Sequence, residues 1–281
     1  MSIQTADNVK RNDQPARSVF QVEAIIKRNS PINKEYHLLN VDAPQSILRC
    51  KPGQFFHILC PARAAHQPYL RRPMSIFGYS LEKGELQFLY KVTGNGTRAL
   101  TYLKKNDVVN LLGPLGIPFT IKPNWVNLLI LARGVGLATL APLAQEANRL
   151  ERNLITICSA RNSDVLMSDN HFRKLGAEVI TVTDTEGTSK MENVRHIIED
   201  RICGDGIDAM YTCGSNRMLQ LLQGIGTKYA IPGQVALEQQ MACGLGMCQC
   251  CVRSFYCGKK IVQKRVCRDG PVFGLQEAMA W

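Results

Sequence analysis

Long apolar runs, clustered histidines and paired catalytic carboxylates are all missing from this sequence. The best apolar stretch, WVNLLILA at 125–132, is much shorter than the roughly 18 residues that a membrane-spanning helix needs. The five histidines are scattered without the spacing of metal ligands or of a catalytic base, and no Ser-His-Asp order stands out. The sequence therefore gives no support to a membrane-spanning or a hydrolytic function.

Acidic residues are in deficit, since 23 Asp and Glu stand against 34 Lys and Arg, for a formal net charge of +11. A soluble basic surface explains this excess, and so does a docking surface for an acidic partner. Nucleic-acid binding is not expected, because no nucleic-acid motif is present and aromatic residues are not interleaved with the basic ones.

Residues 1–17 do not have the features of a secretory signal. They are polar, they lack an apolar core, and we expect them to form a disordered tail. A thiol-rich chain without an export signal is typical of the reducing cytoplasm, which is the predicted location.

The chain of 281 residues is long enough for two domains and a small module. Residues 18–122 contain short β-type runs separated by turn signals, which indicates an antiparallel sandwich or a closed barrel, with one helix over 97–105. In residues 123–232, buried-type strands alternate with helical patterns, which predicts a parallel sheet with right-handed crossovers. Residues 233–281 form the third unit, a cysteine-rich module.

Cysteine is the residue that this module has in excess, because six of the eleven cysteines fall within 243–267. Cys243, Cys248, Cys251 and Cys267 have the spacing C-x4-C-x2-C-x15-C, and its first part is the plant-type pattern of a [2Fe–2S] cluster. Two tetrahedral irons need four thiolates, three from one tight loop and a fourth from a distant segment. Glycines at 244 and 246 allow the backbone to pass close to the sulfur atoms.

Two other interpretations of the cysteines remain open. A zinc site more often has two separated C-x2-C pairs or a mixture of Cys and His, and the nearest histidine, His196, lies far upstream. A disulfide framework is typical of small secreted chains. Cys250 and Cys257 fall outside the spacing and are interpreted as bystanders or packed thiols.

Two motifs in the first domain suggest a phosphate-bearing ligand. Arg72 and Ser75, in the run RRPMSI, supply a guanidinium that can pair with phosphate and a hydroxyl that can bond a ring or ribose edge. The turn Gly94-Asn95-Gly96-Thr97 follows a strand and opens a helix, where free N–H groups favour an anion. An Asn-Gly turn with a Thr N-cap explains the second motif equally well.

The second domain has a glycine turn where its first strand passes into a helix, as a dinucleotide site requires. Gly134 and Gly136 give G-x-G, but Thr139 occupies the third glycine position and Arg133 precedes the turn. Close packing of strand on helix needs glycine too, and Arg133 would either assist a phosphate or block one. Cys213 and Gly214 end the last strand of this domain, at the edge where open α/β sheets bind ligands; a buried thiol is the alternative.

Taken together, RPMS, GNGT, the G-x-G turn, LEQQMACGLGMC and RVCRDGPVF resemble the electron-transfer subunits of the two-subunit, NAD-dependent dihydroorotate dehydrogenases, which share the ferredoxin-reductase-like scaffold. The likeness covers nearly all of the chain beyond the polar tail. The resemblance implies an antiparallel Greek-key barrel that binds FAD, a parallel-sheet domain that binds NAD(P)H, and a [2Fe–2S] module. It also implies a catalytic, flavin-containing partner subunit in a hetero-oligomer.

By the same resemblance, three groups of residues would hold the cofactors. The flavin group is Arg72, Pro73, Met74, Ser75, Leu89, Tyr90, Lys91, Gly96 and Thr97. The nicotinamide-nucleotide group is Gly134, Gly136, Cys213 and Gly214. The cluster ligands are Cys243, Cys248, Cys251 and Cys267.

The chain departs from the family pattern at the nucleotide site. The family has three glycines where this chain has Ala132, Arg133 and Gly134, and Cys-Gly-Pro where it has Cys213-Gly214-Ser215. The alternatives are a subunit of an NADPH–ferredoxin transhydrogenase, a sulfite reductase or another redox complex, or a non-catalytic assembly subunit. The choice between NADH and NADPH stays open, and Ser159 and Arg161 stand where a 2′-phosphate would be held.

Overall fold

The computed structural model describes residues 18–62, 68–166 and 168–280, so the tail expected at 1–17 lies outside the described residues. Seven antiparallel strands form the first sheet, in the order β4-β3-β7-β1-β2-β6-β5. Their bounds are β1 Phe20–Pro31, β2 Tyr36–Asp42, β3 Phe55–Ile58, β4 Arg72–Ser75, β5 Gly78–Ser80, β6 Glu85–Lys91 and β7 Val108–Leu115. Two short helices lie between them, α1 Gln45–Leu48 and α2 Asn95–Thr101.

The sheet forms a half-barrel that buries alternate side chains of its strands on the inner face. Along β7 every second residue is buried, as the period of two in a strand requires. The enclosed core contains Phe56 and Phe88, whose rings meet edge to face with centroids 5.7 Å apart. The antiparallel domain predicted from the β-type runs is therefore confirmed.

A six-stranded sheet in the order β10-β9-β8-β11-β12-β15 forms the second layer. Its first five strands in chain order are parallel, with bounds β8 Asn127–Arg133, β9 Asn153–Ala160, β10 Glu178–Thr183, β11 Ala209–Cys213 and β12 Gly233–Ala236. The connecting helices are α3 Gly136–Arg149, α4 Asp169–Lys174, α5 Met191–Gly204 and α6 Asn216–Tyr229, and a 3-10 turn spans Ser163–Val165. The interior of β8 is wholly buried, because helices cover a parallel sheet on both faces. The predicted parallel domain is confirmed.

The cysteine-rich segment folds around a hairpin of β13 Val252–Cys257 and β14 Lys260–Arg265. The hairpin accounts for the x15 spacing between Cys251 and Cys267. It begins directly after Cys251 and ends directly before α7 Val266–Asp269, which contains Cys267. The chain then enters β15 Val272–Gly274, which pairs antiparallel with β12. The division at 232/233 stays a prediction, and two strands from beyond it belong to the parallel sheet.

None of the helices in the described ranges combines the length and apolar character required to cross a membrane. Hydrogen bonds between the two domains hold the half-barrel against the parallel domain. Gln145 of α3 donates to the carbonyl oxygen of Tyr79 at 2.8 Å, and the Tyr211 hydroxyl donates to the carbonyl oxygen of Thr120 at 2.8 Å. The groove between the sheets is therefore a fixed feature of the molecule.

Candidate cofactor sites

A cavity of about 480 Å³ lies between the half-barrel and the parallel sheet. Eight of the nine residues assigned to flavin by the resemblance line it: Arg72, Pro73, Met74, Ser75, Leu89, Tyr90, Lys91 and Thr97. The parallel domain contributes Val135, Ala138 and Thr139 from the glycine turn, and the segment Leu237–Met241 closes a further side. The cavity is thus shared by three parts of the chain that are far apart in sequence.

One wall of the cavity is cationic. Gly96, the ninth residue, lies against Arg72, because a Cβ on Gly96 would be 2.7 Å from the Arg72 Nε atom. The Thr97 hydroxyl is taken up by its own turn, since it accepts from the N–H groups of Thr93 at 2.9 Å and Gly94 at 3.1 Å. Gly94, rather than Thr97, is the N-cap of α2. Because α2 has only seven residues, the guanidinium rather than the helix dipole supplies most of the positive charge.

The strand β6 forms the flatter wall. Tyr90 is 1% exposed and its hydroxyl donates to the Asn29 Oδ1 atom at 3.1 Å, while burial raises its pKa well above the usual range. Lys91 holds Glu35 at 2.7 Å, and the hydrogen bond to that carboxylate raises the pKa of the ammonium. The tyrosine at this wall is therefore a neutral side chain held in a fixed position.

The four residues assigned to the nicotinamide nucleotide meet at the carboxyl edge of the parallel sheet. Gly134 has φ +56° and Gly214 has φ +126°, both in the region that favours glycine. A Cβ on Gly136 would lie 2.8 Å from the carbonyl carbon of Cys213 and closer still to its oxygen. Cys213 itself is fully buried, and burial raises the pKa of its thiol. The glycines therefore allow the turn to pass directly over the end of β11.

Arg133 points away from this turn. Its Nη1 atom donates to the Ser159 hydroxyl and to Asp184 Oδ1, both at 3.0 Å, and its Nη2 atom lies 2.5 Å from Asp184 Oδ2. The hydrogen bonds from Arg133 and then from Ser189 lower the pKa of Asp184 to about 2. Arg133, Asp184 and Ser189 border a second cavity of about 200 Å³, to which Lys190 and Arg217 also contribute.

The interpretation of Ser159 as a 2′-phosphate ligand does not fit its surroundings. Ser159 is fully buried and its hydroxyl accepts from Arg133, so it is not presented to a nucleotide. Arg161 is exposed at the end of β9.

The four cysteines of the spacing motif lie in two pairs. All four are free thiols; Cys243 lies beside Cys248 and Cys251 beside Cys267, and within each pair one thiol affects the pKa of the other. Two thiolates per iron is the arrangement that a two-iron cluster requires. Within 18–62, 68–166 and 168–280, His, Cys, Asp and Glu side chains do not gather in a group of three or more around one position.

Backbone N–H groups point at these sulfur atoms. The Cys243 Sγ atom accepts from the N–H of Leu245 at 3.4 Å and of Cys248 at 3.5 Å, and the Cys251 Sγ atom accepts from the N–H of Cys267 at 3.4 Å. Burial by itself would raise the pKa of Cys243, but the N–H donors and the Cys248 thiol outweigh it and lower the pKa to about 6. Donors to sulfur favour the thiolate, which is the form that binds iron.

The loop also leaves a cradle that side chains would fill. Gly244 and Gly246 have φ +70° and +83°, and a Cβ on Gly244 would lie 2.8 Å from the Nε2 atom of His57. The His57 ring is buried, and neither of its nitrogens has a hydrogen-bond partner in the part of the chain that the structure describes. Paired thiols, N–H donors and an unsatisfied buried imidazole all suit a sulfur-rich ligand here.

Sequence reasoning missed several residues of this region. Glu238 and Met241 line the large cavity, and both belong to the run LEQQMACGLGMC, which carried the resemblance without assigning either of them a role. His57 and Asp184 gave no signal at all, since each depends on a contact with a segment more than 50 residues away in the sequence.

A half-barrel with an interdomain cavity, a parallel-sheet domain with a glycine turn, and a loop of paired thiols define a ferredoxin-reductase-like flavoprotein with an added iron–sulfur domain. The model for the iron-sulfur cluster binding domain of dihydroorotate dehydrogenase B matches residues 238–278. The electron transfer subunit of dihydroorotate dehydrogenase B (NAD(+)) from Desulforamulus reducens is 32% identical over 237 residues, 84% of this chain and 90% of the relative. The corresponding subunit of Caldanaerobacter subterraneus is 35% identical over 228 residues, 81% and 87% of the two chains. The chain therefore belongs to the family of dihydroorotate dehydrogenase B electron transfer subunits.

Solved structures share this fold. A chain of the NADH-dependent reduced ferredoxin-NADP oxidoreductase superposes with a TM-score of 0.75 at 27% identity, over 90% of this chain and 88% of that one. The ferredoxin-NADP+ reductase of Plasmodium falciparum has a TM-score of 0.59 at 15% identity, over 74% and 90%, which indicates a shared fold.

Proposed function

We propose that this chain carries electrons between NAD(H) and a partner dihydroorotate dehydrogenase subunit, through an FAD in the interdomain cavity and a [2Fe–2S] cluster on Cys243, Cys248, Cys251 and Cys267. A bound FAD would supply hydride exchange with the nicotinamide and transfer of single electrons, and a cluster on the four cysteines would carry these electrons one at a time. We also propose a cytoplasmic location for the complex, because a chain with eleven free cysteines is typical of a reducing compartment.

One observation carries this proposal. Met241 lines the large cavity, and Cys243, two residues further along the same chain, opens the cluster loop. The backbone that closes the proposed flavin site thus continues directly into the proposed cluster site, which keeps the two close to each other. A short separation is what electron transfer between them requires.

The side chains of the cavity bind and orient, and none of them needs to act as a general base. Arg72 supplies a positive charge for the pyrophosphate beside Gly96, Thr97 holds the turn in shape, and Tyr90 fixes the wall on which the ring lies. Val135 and Thr139 approach from the nucleotide turn, so a nicotinamide bound over that turn would face the same cavity.

The partner is proposed to cover the cluster loop. Met247 is 81% exposed and Leu245 37%, although both are apolar side chains of the loop itself. Lys259 and Lys260, at the turn of the β13–β14 hairpin, are exposed and add positive charge to the same module. An apolar centre with a charged edge is the usual composition of a protein interface.

Anaerobic purification tests the cofactors. We expect a visible spectrum with both flavin and iron–sulfur bands, about two irons and two acid-labile sulfides per chain, and bleaching of the flavin within seconds of adding NADH. A colourless protein that contains zinc would contradict the proposal.

Arg133 favours a second candidate function, a non-catalytic assembly subunit, because a cation stands where the family has glycine. We expect instead that the ion pair with Asp184 holds Arg133 away from the nucleotide, so that the Arg133→Gly variant and the unmodified protein are both reduced by NADH. If neither NADH nor NADPH bleached the flavin of the unmodified holoprotein, the assembly role would be favoured.

A further inference from the structure

His57 lies between the two proposed cofactor sites. It lies two residues after Phe55 on β3, and Phe55 lines the large cavity. The two rings have centroids 5.8 Å apart. On its other side the Nε2 edge of the imidazole faces Gly244, next to Cys243. The ring therefore connects the wall of the flavin cavity to the cluster loop.

The chemistry of this ring is unusual for its position. His57 is 0% exposed, and burial and then the nearby Arg71 charge lower its pKa to about 4, so the imidazole is neutral near pH 7. A neutral imidazole has one N–H donor and one acceptor, and both are buried without a partner among the residues described. An apolar side chain of the same size would avoid that cost, so the polar group calls for a ligand-based explanation.

We propose that His57 donates its ring N–H to a sulfur atom of the [2Fe–2S] cluster and thereby raises the reduction potential of the cluster. This inference rests on the proposed cluster site. A cluster gains negative charge when it is reduced, and a donor to its sulfurs stabilises the reduced form more than the oxidised form. His57 is therefore a positioning and tuning residue of electron transfer, supplied by the flavin-binding half-barrel.

A purely structural role for the ring makes a different prediction. Packing against Gly244 depends on the shape of the side chain, so His57→Phe would preserve it and leave the potential unchanged. A hydrogen-bond role depends on the donor, so His57→Gln, whose amide can reach the position of Nε2, would restore what His57→Phe loses.

The test is an EPR-monitored redox titration of the anaerobic holoprotein and its variants, each checked for equal iron and sulfide content. We expect His57→Phe to make cluster reduction about tenfold less favourable, which is 59 mV for a one-electron couple, and His57→Gln to recover most of the shift. His171→Phe, which replaces a histidine on α4 packed against Phe77, is the control and should leave the cluster potential unchanged.

A second measurement decides the matter even if His57→Phe cannot hold its cluster. In the reduced unmodified protein labelled with ring-15N histidine, we expect a 15N hyperfine coupling at the cluster that His57→Gln lacks. An unchanged potential in His57→Phe, or no such coupling in the unmodified protein, would overturn the inference. Unmodified protein without iron and sulfide would instead refute the cluster site on which the inference rests.

Discussion

Arg133 and Asp184 are joined at two points across the carboxyl edge of the parallel sheet, with Nη1–Oδ1 at 3.0 Å and Nη2–Oδ2 at 2.5 Å. The pair connects the end of β8 to the loop after β10, and the second cavity opens beside it. Its carboxylate offsets part of the charge of Arg133, Lys190 and Arg217. This edge is therefore less attractive to an additional phosphate than its basic residues alone suggest.

Removal of this carboxylate should favour NADPH. In Asp184→Asn the guanidinium of Arg133 loses its ionised partner, and we expect kcat/KM for NADPH to rise about tenfold, the size of one charge-assisted hydrogen bond, while that for NADH changes less. Because the pKa of Asp184 is lowered to about 2, the carboxylate is ionised from pH 5 to 9 and the difference should be constant over that range.

Steady-state flavin reduction with both nucleotides measures the effect. Glu186→Gln is the matched control, since Glu186 lies in the same loop but accepts from the Thr183 hydroxyl at 3.0 Å. An equal change in both variants would show that the loss of one negative charge, wherever it lies, is sufficient.

Arg72 should determine how tightly FAD is held. Arg72→Ala removes the cation beside Gly96, and a hydrogen bond to a charged group contributes about 1.5–3 kcal/mol. We therefore expect the FAD dissociation constant to rise roughly 10- to 100-fold, measured by fluorescence of the released flavin. Arg28→Ala, an exposed arginine on β1 that bonds Ser30, should retain FAD as the unmodified protein does.

Gly136 should tolerate no side chain. A Cβ added at Gly136 would overlap the main chain of Cys213, which cannot move without displacing β11. We therefore expect Gly136→Ala to lower the unfolding free energy by about 1–3 kcal/mol and to slow reduction by NADH. Gly204→Ala, where a Cβ would meet no atom within 4 Å, should be neutral or slightly stabilising. Thermal unfolding of the holoproteins compares the two, and equal stability would contradict the close approach.

The cysteines should divide into two classes. Cys248→Ser or Cys251→Ser would leave one iron with a single cysteine thiolate besides its bridging sulfides, so we expect loss of most iron, of acid-labile sulfide and of the iron–sulfur bands. Cys250→Ser or Cys257→Ser should leave the iron, the sulfide and the absorption bands unchanged, because both thiols are exposed and lie outside the two pairs. Cluster loss in Cys250→Ser would show that the assignment of ligands from the spacing is incorrect.

Much of this architecture could be predicted from the sequence, because it depends on local patterns. The buried-type strands and helical patterns predicted to alternate in 123–232 begin with β8 and α3. The strands β4 and β5 are separated at Ile76 and Phe77, because these two side chains turn into two separate cores. The ends of helices and strands, and breaks such as this one, depend on tertiary packing, which the periodicity of the sequence does not encode.

The site was less accessible to sequence reasoning. The cysteine spacing was informative because one loop supplies three thiols, but no local pattern linked Arg133 to Asp184 or His57 to Gly244. Contacts between distant segments of one chain leave no periodic signal in a single sequence. The same is true of Glu238 and Met241, which line the large cavity from outside the half-barrel.

The last strand, β15, pairs with β12, and Ile117 of the half-barrel forms a bridge with Pro271 just before it. The thiol loop is consequently anchored on both sides to rigid sheets and cannot swing between a donor and an acceptor as a tethered carrier would. Electron transfer through it must proceed by tunnelling over a distance that the folded chain has already set. Its rate would then respond to driving force rather than to solvent viscosity.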